Sequence, residues 1–280
     1  MAATRIAVVQ MESKLGKPQQ NLRRAERYIQ QAAEQGAHLI CLPEAFSTSG
    51  NILEVAEVSV PIPGPETEFL CEQAKQTGTH IAAGLLERGE NGTYYSTSVL
   101  CGPEGTLLGR YRRVHLHELE ARYLTGGTEY PVFDTGFGRI GLMQGYDINF
   151  PETAREYCLR GVDVIVCSAL VPDMFAYVAN LRLPVRAVDA ECVIAFASGI
   201  GHNLYAGFSY MGCSQILADP LFLEAERFDF VDGDERMTDL GKEAGVGVAE
   251  IDLDRMRRYR TKATLTGDLR PATYWQFERE

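Results

Sequence analysis

Between residues 139 and 160 a short apolar run, Ile140 to Met143, stops at Gly145 and gives way after Pro151 to a helix-like segment, Glu152 to Arg160. An apolar run of that length between polar neighbours reads as a buried strand. A strand that breaks at a small residue and turns directly into a helix restricts the chain to α/β architecture, because the strand needs sheet neighbours and the helix needs a sheet face to cover. Turns of this kind lift nucleophiles above the sheet in α/β hydrolytic enzymes. Here the top of the turn is glycine, which has no side chain to attack anything.

The flanking sequence repeats the same alternation. Ile6–Val9 is a short apolar strand, and Pro18 opens a helical period with Leu22, Ala25, Ile29, Ala32 and Ala33 on one face and Gly36 near its end. His38–Leu42 is the next strand and delivers Pro43-Glu44, so strand, helix and strand follow with short links. Residues 47–65, rich in Ser, Pro and Gly, predict a loop over the site. A helix carrying Phe69, Leu70 and Ala74 closes at Gly78. The runs Thr79–Leu85, Tyr94–Cys101 and Leu107–Leu116 then read as antiparallel hairpins, and Val132–Thr135 with Arg139–Met143 continues the pattern.

Val162–Ala169 is continuously apolar, as a central strand covered on both faces would be. A helix over 175–191 contains Pro184, which kinks or begins it. Val193–Ser198, Phe208–Leu217 and Gly245–Ile251 predict further strands, and Asp252 caps a basic helix, Leu253–Tyr259. The acidic stretch 229–243 reads as a solvated loop. Residues 1–280 form one expected domain, with 260–280 as a tail carrying Trp275.

A formal charge of −11 gives no electrostatic footing for nucleic acid or an anionic membrane. The seven cysteines show no Cys-x-x-Cys spacing, which suits free buried thiols in a reducing compartment. No stretch approaches the roughly 18 continuous apolar residues of a membrane span, and no signal-peptide pattern opens the chain. A cytoplasmic protein is the expectation.

Gly141-Leu142-Met143-Gln144-Gly145-Tyr146-Asp147-Ile148, followed by Phe150-Pro151-Glu152, resembles the nucleophile segment of the nitrilase (carbon–nitrogen hydrolase) superfamily. The similarity extends over nearly the whole chain, through Tyr95–Gly105, Arg186-Ala187-Val188 and Phe208–Pro220. It implies a four-layer α-β-β-α sandwich of mixed sheets and a homodimer joined through the helices beside the nucleophile. It also implies that Gly145 stands at the catalytic-cysteine position. Glu44 falls at the general-base position, Arg113 in Tyr111-Arg112-Arg113-Val114-His115-Leu116 at the catalytic-lysine position, and Glu120 at that of a second glutamate.

Arginine keeps the lysine's positive charge but offers a planar fork of donors and holds its proton. It can clamp a carboxylate or oxyanion and is a poor proton shuttle. Glu44, Arg113 and Glu120 together would form one cation between two carboxylates. Gln144 needs polar partners if it faces the core, and Tyr146 keeps a backbone N–H beside the turn for an anion-binding notch. Asp147 reads as holding the turn through backbone bonds. His115 and His117, two apart on a strand-like run, share a side, but a metal site lacks a third ligand, and neither metal nor cofactor is expected.

Three functional readings stay open. In one, Glu44, Arg113 and Glu120 act by acid/base chemistry on a small amide, carbamoyl or amino-acid-like substrate, with Gln144, Gly145, Tyr146 and Cys167 lining its pocket. In the second, the chain is a catalytically inactive binding or scaffold protein. In the third, the nucleophile has moved to Cys167 in the Val164-Ile165-Val166 strand, where a cysteine is ordinarily core packing. A small molecule is the expected partner in the first and third.

Overall fold

The computed structural model describes residues 3–203, 207–219, 222, 236–261, 267–270 and 273. One sheet runs β14 (Gly245–Ile251), β1 (Thr4–Gln10), β2 (Leu39–Cys41), β3 (His80–Arg88), β4 (Tyr94–Cys101), β5 (Leu107–Arg112). The other runs β13 (Arg236–Asp239), β12 (Gln215–Leu217), β9 (Val193–Ser198), β8 (Val164–Ala169), β7 (Arg139–Gln144), β6 (Val132–Asp134). Each has a parallel centre, β1-β2-β3 and β7-β8-β9, with antiparallel strands outside it. Parallel neighbours need crossover connections. Helices α1 (Pro18–Glu34) and α3 (Pro65–Thr77) supply them in the first sheet, and α4 (Pro151–Leu159) and α5 (Leu183–Ala190) in the second.

Strand alternation sorts the apolar residues into layers. Ile6 and Val8 of β1 meet Val164 and Val166 of β8 between the sheets, while Ala7 and Val9 pack under α1 with Ala25 and Ile29. Ile165, Cys167 and Ala169 face the other way, into a cluster with Tyr157 of α4 and Leu183 and Ala187 of α5. Strands buried on both faces explain the unbroken apolar runs of the sequence. The result is the four-layer α-β-β-α sandwich that the resemblance implied.

Several boundaries differ from the sequence expectation. Leu107–Leu116 stops being a strand at Arg112, so the shared-side inference for His115 and His117 fails with the loss of the two-residue period. Phe208–Leu217 is broken into β11 (Phe208–Met211) and β12 by Gly212 and Cys213, both at positive φ. β11 forms a two-stranded ribbon with β10 (Ile200–Asn203) apart from the two sheets, with an isolated bridge from Tyr210 to Pro172. Pro184 sits at the start of α5, behind a π-helical turn over Val178–Arg182. The 47–65 segment is more than a loop. It holds a 3₁₀ turn, Ile52–Glu54, and a short helix α2 (Val55–Val58), whose apolar residues pack with Leu86, Leu116, Leu124 and Leu170 as a collar. In the acidic 229–243 stretch, Arg236–Asp239 is the edge strand β13, and 229–235 lie outside the described residues. Trp275 and most of the 260–280 tail lie outside them too. Asp252 caps α6 (Leu253–Arg260) through the Arg255 N–H, as expected.

Gly84 lets β3 lie close both to Glu44 beside it and to Gln144 of the other sheet. A Cβ on Gly84 of β3 would stand 2.6 Å from the Glu44 Cα and 3.1 Å from Gln144 Nε2. The backbone atom cannot swing away, so Gly84→Ala is expected to cost about 1–3 kcal/mol by overpacking, read as a lower denaturant midpoint. An unchanged midpoint would mean that the backbone around Glu44 gives way to the added methyl without cost.

Candidate functional site

The turn begins where β7 ends. Gln144 is fully buried, Gly145 takes φ +47°, and a 3₁₀ segment through Asn149 leads to Pro151 at the first turn of α4. Asp147, with no exposure, fastens the turn: it accepts from the Tyr111 hydroxyl at 2.6 Å, the His115 N–H at 3.0 Å and the Gln144 N–H at 3.3 Å. The His115 ring contacts the same carboxylate at 2.9 Å and stacks on Phe150 with centroids 3.7 Å apart. His117 instead meets the edge of Tyr146. Both histidines therefore brace the turn. Among the described residues no group of three or more His, Cys, Asp or Glu side chains is placed to hold a metal.

Glu44, Arg113 and Glu120 converge. Glu44 follows β2, Arg113 follows β5, and Glu120 opens a short 3₁₀ turn. Arg113 Nη1 donates to Glu44 Oε1 at 3.1 Å, and Nη2 lies 2.6 Å from Glu120 Oε1 as a close ion pair outside hydrogen-bond alignment. Glu120 Oε2 accepts from the His117 N–H at 2.9 Å. Arg113 is 2% exposed and Glu44 8%, while the Glu120 side chain reaches solvent at 22%.

A polar chain continues behind the triad. Glu44 Oε1 accepts from Ser96 Oγ at 2.7 Å, Ser96 Oγ accepts from Gln144 Nε2 at 2.8 Å, and Gln144 Oε1 accepts from Ser98 Oγ at 2.8 Å. Glu44 Oε2 receives the Leu170 N–H at 3.3 Å. Gln144 is thus a partnered core amide that reaches the triad through Ser96. The sequence reading missed Ser96 and Ser98, although their two-residue spacing on β4 puts both on the inward face. It also missed Tyr210, whose phenol feels the Glu44 charge and takes a hydrogen bond from Asn203.

The space above Gly145 is taken. A Cβ built on this residue would lie 2.6 Å from Glu44 Oε2 and 2.8 Å from Arg113 Nη1. Glycine is demanded twice, by the left-handed backbone and by the ion pair resting where a side chain would begin. At Gly145, expected to line a substrate pocket, the ends of Glu44 and Arg113 take the space where a side chain would begin. Both ends of the Arg113 fork face carboxylates, and among the described residues Nε and Nη2 are buried donors without a hydrogen-bonded acceptor. A substrate carboxylate would have to displace one of those carboxylates.

Burial pushes the Glu44 carboxyl up from its ordinary value; Arg113 opposes this and Glu120 adds to it. For Arg113 burial works against the charge, but Glu44, Glu120 and Asp147 outweigh it and hold the proton more firmly than usual. Cys167 does not meet the requirements of a relocated nucleophile. It is fully buried, faces the α4–α5 cluster, and its thiol is pushed well up by burial and then by Asp147 and Glu44, so the thiolate is disfavoured. Tyr146 is half-buried and edge-on to His117 and Phe150. A cleft of about 600 Å³ opens at the other end of β7, where Arg257 and Arg260 are spent on Asp163.

Fold and site together define a sandwich hydrolase scaffold whose sharp turn is closed by an ion triad. Residues 5–222 match the carbon-nitrogen hydrolase family. A nitrilase of Pyrococcus abyssi is 35% identical over 261 residues, 91% of this chain and 92% of its own. Human omega-amidase NIT2 is 32% identical over 71% of this chain and 75% of its own. A cysteine mutant of the Nesterenkonia AN1 amidase, a nitrilase-superfamily structure, superposes with a TM-score of 0.77 at 25% identity, covering 93% of this chain and 95% of that one. The chain belongs to the carbon-nitrogen hydrolase family.

Two outcomes follow from this geometry. Gly145→Ala is expected to cost about 1–3 kcal/mol, and less in an Arg113→Lys background, where the shorter cation leaves the space over residue 145. A double-mutant cycle by chemical denaturation should show coupling of at least about 0.5 kcal/mol; strict additivity would show that the two positions do not share that space. The second outcome concerns pH. A carboxyl raised on folding stabilises most fully below its unfolded value of about 4.3, and that contribution is lost as pH rises through the higher folded value. Glu87, lowered by Arg112, Thr97 and Arg110 against the effect of burial, has the opposite sign. Subtracting the stability–pH curve of Glu44→Gln from that of the native chain isolates Glu44: the difference should fall as pH rises through that interval. A flat or rising difference contradicts the raised carboxyl.

Proposed function

We propose that this chain binds a small amide or carbamoyl compound at the mouth of the Glu44–Arg113–Glu120 triad without forming an acyl-enzyme. The observation that carries the reading is the occupation of the space over Gly145 by Glu44 Oε2 and Arg113 Nη1, at 2.6 and 2.8 Å from where a Cβ would stand. Gly145 offers no sulfur to attack, and the ends of the Glu44 and Arg113 side chains rest where a side chain at this position would begin. The names of the relatives, a nitrilase and an omega-amidase, support the ligand class. Around the mouth, the half-exposed Glu120 and the rings of Tyr146 and Tyr210 offer an acceptor and flat apolar surface to such a molecule. The working state in this proposal is a cytosolic homodimer. Exposed Met174, Leu181 and Val185 around α5 support a second copy as the partner.

A second reading, turnover by acid/base chemistry, is favoured by the burial of Glu44, which pushes its carboxyl up. A protonated Glu44 could pass its proton to a leaving nitrogen while water attacks the carbonyl, with Arg113 as a fixed cation opposite the developing oxyanion. Both Glu44 oxygens already accept hydrogen bonds from the protein, which weighs against this reading.

A panel of small amides, carbamoyl amino acids and lactam precursors separates them. Thermal shifts report binding and mass spectrometry reports product. Binding without product and without a covalent adduct is the expected result. Turnover lost in both Glu44→Gln and Arg113→Met would establish the acid/base reading in its place, and an acyl adduct on Cys167 would overturn both.

A further inference from the structure

The packing of α3 on the first sheet brings together two thiols that the triad does not use. Cys71 of α3 and Cys101 at the end of β4, 30 residues apart in sequence, have their Sγ atoms 3.2 Å apart. Neither is bonded to the other as a disulfide. They differ in access: Cys71 is half-buried and Cys101 is fully buried. We propose that the pair is an oxidative modification site, at which a peroxide entering at Cys71 converts the two thiols to a disulfide that fastens α3 to β4.

The order of events follows from the burial. Burial, with Cys71 beside it, pushes the Cys101 thiol up, so that thiol stays protonated and shielded while Cys71 meets the oxidant. The Cys71 sulfur attacks one peroxide oxygen, the O–O bond breaks, and the released hydroxide takes up the thiol proton as water, leaving a sulfenic acid. The Cys101 sulfur then attacks the Cys71 sulfur. The S–O bond breaks, and the second hydroxide leaves with the Cys101 proton as water. Two thiols and one peroxide give one disulfide and two waters, with two electrons passing from sulfur to oxygen.

Closing the sulfurs to a bond of about 2.05 Å takes a movement of little more than 1 Å. Such a movement needs no rearrangement of the sheet, since one partner rides on a helix laid across it. β4 also carries Ser96 and Ser98, five and three residues before the junction, so the staple would tie the helix to the strand that holds Glu44 and Gln144. A cross-link closing a loop of this length restricts the unfolded chain and raises the thermal midpoint. Two core cysteines that merely fill space would show none of this chemistry.

The test is titration of the intact chain with hydrogen peroxide, followed by intact mass, a non-reducing digest and thermal denaturation. The native chain should lose two hydrogens, yield a peptide pair linked through Cys71 and Cys101, and gain several degrees in midpoint, all reversed by dithiothreitol. Cys101→Ser should leave Cys71 as a sulfenic acid trapped by dimedone, with no gain in midpoint. Cys71→Ser should leave Cys101 unmodified. Sulfinic acid at Cys71 in the native chain with Cys101 still reduced would overturn the proposal, as would two thiols that stay unmodified.

Discussion

A guanidinium and a carboxylate rest on a glycine, and the rest of the site is arranged around that contact. Arg113 and Glu44 follow different strands of one sheet and meet over the turn at the end of a strand in the other, so an ion pair supplied by one sheet rests against the turn of its neighbour. Charges this deep are costly to desolvate. They persist where counter-charge and hydrogen bonds offset that cost, and removal of one member leaves the other uncompensated. The chain Ser98–Gln144–Ser96–Glu44 provides hydrogen bonds on the acidic side. Glu120 provides the second counter-charge at the solvent edge.

The substitutions at 113 and 145, relative to the pattern the family resemblance implies, make physical sense as a pair. An arginine is longer and broader than a lysine and needs room for its fork; a glycine leaves that room and tolerates the left-handed turn. Either residue alone would be awkward. A side chain at 145 would collide with the fork, and a lysine beside Gly145 would leave an unfilled buried space. In the proposed reading, the charge pattern that the family resemblance implies for a hydrolytic pocket is kept while Glu44 and Arg113 rest over Gly145.

Much of the fold could be read from sequence because its signals are local and redundant. The both-faces-buried strands at Ile6–Val9 and Val164–Ala169 announce themselves as apolar runs, and Pro18, Gly78 and Pro151 punctuate the helices that cover them. Breaks set by backbone conformation were not legible: Gly212 and Cys213 divide one apolar run into strands of two different assemblies. The strand that ends at Arg112 hid the true setting of His115, because stacking on Phe150 joins residues 35 positions apart in sequence. At the site, the motif brought Glu44, Arg113, Glu120 and Gly145 to attention, but sequence could not say whether the missing sulfur left a cavity. That depended on the reach of one guanidinium. Ser96 and Ser98 carried a usable signal, two hydroxyls on the inward face of a strand, which was overlooked because serine is unremarkable in a hairpin.

The central claim is that Arg113 sits locked between Glu44 and Glu120 in the space a nucleophile's side chain would need. Isotope-edited NMR of the arginine guanidinium groups tests this directly, since a buried, doubly paired guanidinium rotates and exchanges its protons slowly. Resolved, exchange-protected Nη signals are expected for Arg113 at neutral pH, lost in Arg113→Lys. Rapidly exchanging, averaged signals would place Arg113 in solvent over an open turn and contradict it.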